Sequence, residues 1–249
     1  LVPLPIHSPS QPAIALNEVA SLKLVTPLDD GSANDGTGVN IRQAMRFGQS
    51  YEFQVEKYAS DAPVDPAAIH WEAFALLEDG TKKPIKLQES GERATASIDD
   101  IELCGGSISV RAYIRSTGAK LETPIHYRFR WFDAQKVAEQ AQQRVAEPWR
   151  IDQGGSSLCG MAAVFYVMAK KFPQQYQKLA KDLHRKGEVA IDDYTVKPNS
   201  LVAERMYSVR PTDAEYKALN MWEVDWIMLA TTRSGESWLA FDGLGQGIS

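Results

Sequence analysis

Residues 151–163 read Ile-Asp-Gln-Gly-Gly-Ser-Ser-Leu-Cys-Gly-Met-Ala-Ala, a glycine- and serine-rich loop that runs straight into an almost wholly apolar segment, Leu158 to Lys171. A helix that is apolar on every side belongs in a core, so this segment is expected as a buried helix. Lys170 and Lys171 complement the negative end of its dipole. Phe172-Pro173 then breaks the run. Cys159 falls at the junction of loop and helix. The first backbone N–H groups of a helix are unpaired and carry partial positive charge. A thiolate is stabilised there and is available as a nucleophile. Gln153 lies six residues before Cys159, close enough to swing its side-chain amide back over the sulfur. With the Cys159 N–H it would form a two-donor oxyanion hole. Gly154 and Gly155 would let the backbone approach a substrate carbonyl.

Upstream, from about Leu16 to Asp133, the pattern is β. The runs Ser21–Thr26, Ser50–Lys57, Ile69–Leu77, Ala94–Ile98, Ser107–Arg115 and His126–Phe132 alternate apolar and polar residues or carry β-branched and aromatic side chains. Ile108, Val110, Ala112 and Ile114 fall on one face with the period of two of a half-buried strand. Asp79-Gly80, Ser90-Gly91, Gly105-Gly106 and Thr117-Gly118 supply turns between the runs. Several short strands at this spacing predict a β-sandwich of immunoglobulin-like architecture over residues 16–133. Its role is expected to be adaptor, spacer or partner surface. Residues 1–15, rich in proline, read as an extended tail.

Residues 134–148 change to Ala, Gln and Glu and are expected as a connector helix that Pro148 ends. The remainder, 149–249, is helical first and mixed later. Gln174–Lys186 has helical spacing and a stop at Gly187. Glu188–Lys197 reads as a hairpin about Asp192-Asp193. Met221–Thr232 reads as an amphipathic helix with Trp222, Trp226, Leu229 and Ala230 along one side. Trp238–Ser249 reads as a strand leading into a glycine-rich segment. The fold class expected for the whole is α+β.

Composition narrows the function. The net charge of −5 argues against a nucleic-acid binder, and the basic cluster Lys181 to Lys186 reads as a solvated helix face. No run of apolar residues is long enough to span a bilayer. The start lacks the basic n-region of a signal peptide and lacks Met, which suggests a fragment or processed chain. Two cysteines are too few for a disulfide framework. Cys104, beside Gly105-Gly106, is expected to be structural. No H-x-x-x-H, C-x-x-C or phosphate-binding loop is present, so no cofactor and no metal is expected. Asp192-Asp193 and the Asp213/Glu215 pair read as turn and helix-start acids. Gly243, Gly245 and Gly247 lack the setting of a nucleotide loop.

Gln153-x5-Cys159, with a glycine-rich loop between and a helix after, resembles the papain-like cysteine peptidases. The form Cys-Gly-Met-Ala-Ala-x-x-Tyr at Cys159 to Tyr166 looks most like bacterial papain-like effector domains, including those delivered by type VI secretion. The resemblance covers about Trp149–Lys197. It implies a thiol hydrolase (protease, amidase or deamidase) with Cys159 as nucleophile and Gln153 at the oxyanion. It further implies a toxin held in the producer's cytoplasm, then delivered into a target cell without a signal peptide. The implied partners are a protein or peptide substrate, an immunity protein and a secretion-system carrier. The alternative is a non-catalytic binding or delivery module on an inactive papain-like scaffold, or a structural part of the secretion machine.

Such enzymes follow the Cys with a strand-borne His and an orienting Asn or Asp. After Cys159 the only histidine is His184, on a helix beside Arg185 and Lys186, where it reads as a solvated residue, with the catalytic base as the alternative. His70 and His126 lie in the β region and His7 in the tail. Family members continue past a segment like Trp238–Gly247 into strands that carry the His and its acid. The resemblance thus implies that this chain holds the nucleophile half of the site.

Overall fold

The computed structural model describes residues 17–115, 117–156, 158–191, 193–236 and 244; the tail, Asp192 and the expected strand and glycine-rich segment after residue 236 lie outside these, apart from Leu244. The protein is α+β. Ten strands come first: β1 Val19–Leu24, β2 Asp29–Ser32, β3 Ile41–Ala44, β4 Ser50–Tyr58, β5 His70–Leu76, β6 Lys82–Ile85, β7 Leu87–Ser90, β8 Arg93–Ser97, β9 Ser107–Tyr113 and β10 Ala119–Pro124. Helices follow: α1 Ala134–Ala146, α2 Cys159–Lys171 and α3 Pro173–Lys186. The hairpin β11 Val189–Ile191 and β12 Tyr194–Val196 precedes α4 Ser200–Ser208, α5 Ala214–Ala218 and α6 Glu223–Glu236.

Two antiparallel sheets, ordered β1-β4-β8-β7 and β10-β9-β5-β6, share one core. Tyr51, Phe53 and Val55 of β4 meet Trp71, Ala73 and Ala75 of β5 and Ile108, Val110 and Ala112 of β9. These are the strands whose alternation the sequence displays, because only strands with one buried face must alternate. The strands it does not display are sheet edges or the separate β2–β3 hairpin. Edge strand β6 carries Lys82, Lys83 and Pro84, residues that block further pairing and hide the strand from propensity.

His126–Phe132 is not a strand. A bridge between Met45 and Ile125 is the last pairing, and bends and a turn follow. The N–H groups of Arg128 and Phe129 instead donate to the carbonyls of Arg185 and His184 at 2.9 and 3.3 Å. The last carbonyls of a helix lack intrahelical partners, so α3 takes up the donors a strand would have used. Phe129 and Phe132 then join the helical core. Ion pairs from Arg185 and Lys186 to Glu102, at 3.0 and 2.8 Å, join α3 to the β region.

The helical core also corrects the expectation for residues 158–171. Only Phe165 and Ala169 of α2 are buried. Cys159, Gly160, Ala163, Val164, Tyr166 and Val167 are exposed, with Val164 at 55% and Val167 at 52%. The helix packs on α3, α6 and α1 with one side only. The central helix is α6, where Val224 and Trp226 to Thr231 are all buried among α1, α2, α3 and α4. Apolar composition alone does not say which helix receives neighbours all round. The assignment is testable: Val164→Ser or Val167→Ser should move the denaturant midpoint by less than about 0.5 kcal/mol of stability, the usual size at solvent-facing positions. A loss of several times that amount would place these side chains inside.

Candidate active site

α2 starts at Cys159. Leu158, its buried N-cap, offers no side-chain cap, and the first intrahelical bond is Ala162 N–H to Leu158 O at 3.0 Å. The amides of Cys159, Gly160 and Met161 therefore precede the ladder. Cys159 itself is exposed and unbridged. The other thiol is its opposite: Cys104 is fully buried, and burial pushes it up to about 12.

The loop before α2 is fixed bond by bond. Gly154 N–H donates to Asp152 Oδ1 at 2.9 Å. Gly155 N–H donates to Leu219 O at 2.9 Å. Ser156 Oγ donates to the Gln153 carbonyl at 2.5 Å. Gly154 has φ +57°, and a Cβ there would collide with the Leu219 carbonyl. That glycine is required by the chain's own turn before α6, not by a substrate as the sequence suggested. Gly155 has only an ordinary contact there, 3.8 Å to Ala218 O.

Beneath the loop lies a buried ion pair that nothing in the sequence pattern marks. Arg144 of α1 donates through Nε and Nη2 to both oxygens of Asp225 of α6, at 2.5 to 3.1 Å. The guanidinium also lies 3.9 Å from the centre of the Trp222 ring. Asp225 Oδ2 accepts a further bond from Asp152 N–H at 3.3 Å. The loop that carries Gln153 is thereby tied to a buried ion pair of the helical core. A cavity of about 610 Å³ opens beside it, lined by Trp149, Arg150, Asp152, Lys217 and Trp222 among others.

Gln153 is half-buried, and its Oε1 is enclosed without a hydrogen-bond partner. Gln153 and Cys159 thus stand at the two ends of one anchored loop, with no hydrogen bond between them. His184 is placed elsewhere. It is 2% exposed, not solvated as its basic neighbours suggest. Its Nε2 bonds the Phe132 carbonyl at 2.9 Å, and its ring packs on Tyr127 and Phe129. Burial lowers it to about 4. His126 is buried against Asp29 O at 2.8 Å, and His70 lies by Tyr113 in the β region. No described histidine bonds Cys159.

No family model, curated protein or solved structure matches this chain.

The weaker candidates take ordinary places. Asp213 accepts from Arg210 N–H at 2.8 Å before α5, and Glu215 pairs with Arg205. Asp193 is exposed in the β11–β12 turn. Among the described residues no group of three or more His, Cys, Asp or Glu is placed to hold a metal ion, and no helix is long and apolar enough to cross a membrane.

Proposed function

We propose that this chain bears the nucleophile of a papain-like cysteine hydrolase. Cys159 attacks an amide or ester carbonyl, the leaving group departs with a proton, and water hydrolyses the thioester. Gln153 and the Cys159 N–H hold the oxyanion. The observation that carries this reading is an exposed thiol on the first residue of a 13-residue helix, behind a loop anchored to a buried ion pair. The base belongs to a group outside the described residues, since His184 is committed to the core. The preceding region is read as immunoglobulin-like, which the orders β1-β4-β8-β7 and β10-β9-β5-β6 support. Delivery as a bacterial effector toxin, with an immunity protein and a carrier, rests on the likeness of Cys159 to Tyr166. The second reading, an inactive scaffold used for binding, is favoured by the distance of every described histidine from hydrogen bonding with Cys159.

Iodoacetamide labelling at mildly acidic pH, read by peptide mass spectrometry, separates the two. Cys159 should react while Cys104, sealed in the core, does not. An unreactive Cys159 points to the scaffold. Where expression of the protein is toxic to bacteria, Cys159→Ala should abolish that toxicity; undiminished toxicity rules the hydrolase out.

A further inference from the structure

A second cavity, of about 580 Å³, lies where the β region meets the helical core. Arg128 lines it. The residue is only 9% exposed, yet no carboxylate among the described residues pairs with it and its Nε is enclosed without a partner. Its guanidinium is held between two aromatic faces, 4.6 Å from the Phe47 ring centre and 4.5 Å from that of Tyr207. Gly187 makes the space: with φ +73°, a Cβ there would come within 2.7 Å of Met206 Sδ and 3.3 Å of Arg128 Nε. Cation–π contacts hold the plane of the group but leave Nε, which carries one of its five N–H donors, without a partner. A buried guanidinium without an anion is costly, and burial disfavours its charged form.

The acids around the cavity decide what anion fits. Asp100 is bound to Lys83 and Glu188 pairs with Lys197 at 3.5 Å. Asp99 is exposed and has no ion pair. The charges lining the space without an ion pair are therefore one cation, Arg128, which Glu188 offsets only from beyond ion-pair range, and one carboxylate, Asp99. A phosphate dianion would bring a second negative charge and nothing to answer Asp99. A planar carboxylate matches the guanidinium fork, and an ammonium on the same molecule answers Asp99. Phe47, Ile101 and Pro198 leave an apolar wall for a side chain, and the volume is that of a small-ligand site. We infer that this cavity binds a free α-amino acid, with its carboxylate on Arg128 and its ammonium at Asp99. The site shares no lining residue with the Cys159 loop.

Calorimetric titration of the purified chain with each standard L-amino acid tests this, beside N-acetylated amino acids, amino-acid amides and inorganic phosphate. At least one free amino acid should bind saturably, and its acetyl and amide forms should bind at least about tenfold more weakly. Asp99→Asn alters an exposed residue and should leave the fold intact. It should weaken the free amino acid by a similar factor and erase the preference over the acetyl form. The inference is overturned if no amino acid binds, if phosphate binds better, or if Asp99→Asn changes nothing.

Discussion

Replacing Asp225 with alanine should lower the stability of the helical core by about 3–5 kcal/mol, the cost of leaving one member of a buried pair without the other. Arg144 has no other ion-pair partner among the described residues. It is buried against Trp222, and its Nε and Nη2 both donate to Asp225. The same change removes the acceptor of Asp152 N–H, so the Gln153 loop loses one of its tethers. Urea unfolding measures the loss as a fall in midpoint at unchanged slope. The double change Arg144→Met with Asp225→Leu should recover most of it, since no charge is then stranded. A loss under about 1 kcal/mol for the single change would mean that water or another carboxylate reaches Arg144, contrary to the geometry.

The second large effect is one of pH. His184 is held at about 4 by burial, whereas an unfolded histidine titrates near 6.5. Between these values the unfolded chain binds the proton and the folded chain does not, so stability falls as the solution is acidified. Protection is complete above about pH 6.5 and is lost by about pH 4, a total of about 3 kcal/mol at 1.36 kcal/mol per unit. His126, also lowered by burial, acts in the same direction. The carboxylates lowered by basic partners, such as Glu102 beside Lys186 and Arg185, lose their contribution further into acid. Comparing unfolding at several pH values for the parent and His184→Asn isolates the term: the variant should start less stable and fall less steeply. Parallel curves would show that His184 takes up its proton in the folded state.

The parts legible in the sequence are those where a local rule and the global fold coincide. Gly187 ends α3 with φ +73°, as a helix stop should. In β4, β5 and β9 the alternation marks the faces that meet in the core. The hairpin about Asp192-Asp193 pairs Ile191 with Tyr194. What was not legible depends on partners far along the chain. Apolar composition in residues 158–171 did not tell whether a neighbour covers Val164 and Val167. The aromatic alternation of His126–Phe132 looked like a strand because nothing local announces that α3 will supply its acceptors. In the candidate site, Cys159 at the start of α2 followed from the glycine-serine loop before it. The Arg144–Asp225 anchor joins residues 81 apart in sequence and left no trace in spacing.

One bond pattern bears on any attempt to dissect the protein. Because Arg128 and Phe129 cap α3 through their main-chain N–H groups, the stretch that reads as the last strand of the β region is a built-in part of the helical one. A fragment begun at Ala134, where the composition changes, would strip that helix of its closing donors and take two phenylalanines out of the interior. Cutting just after Ile125 keeps both.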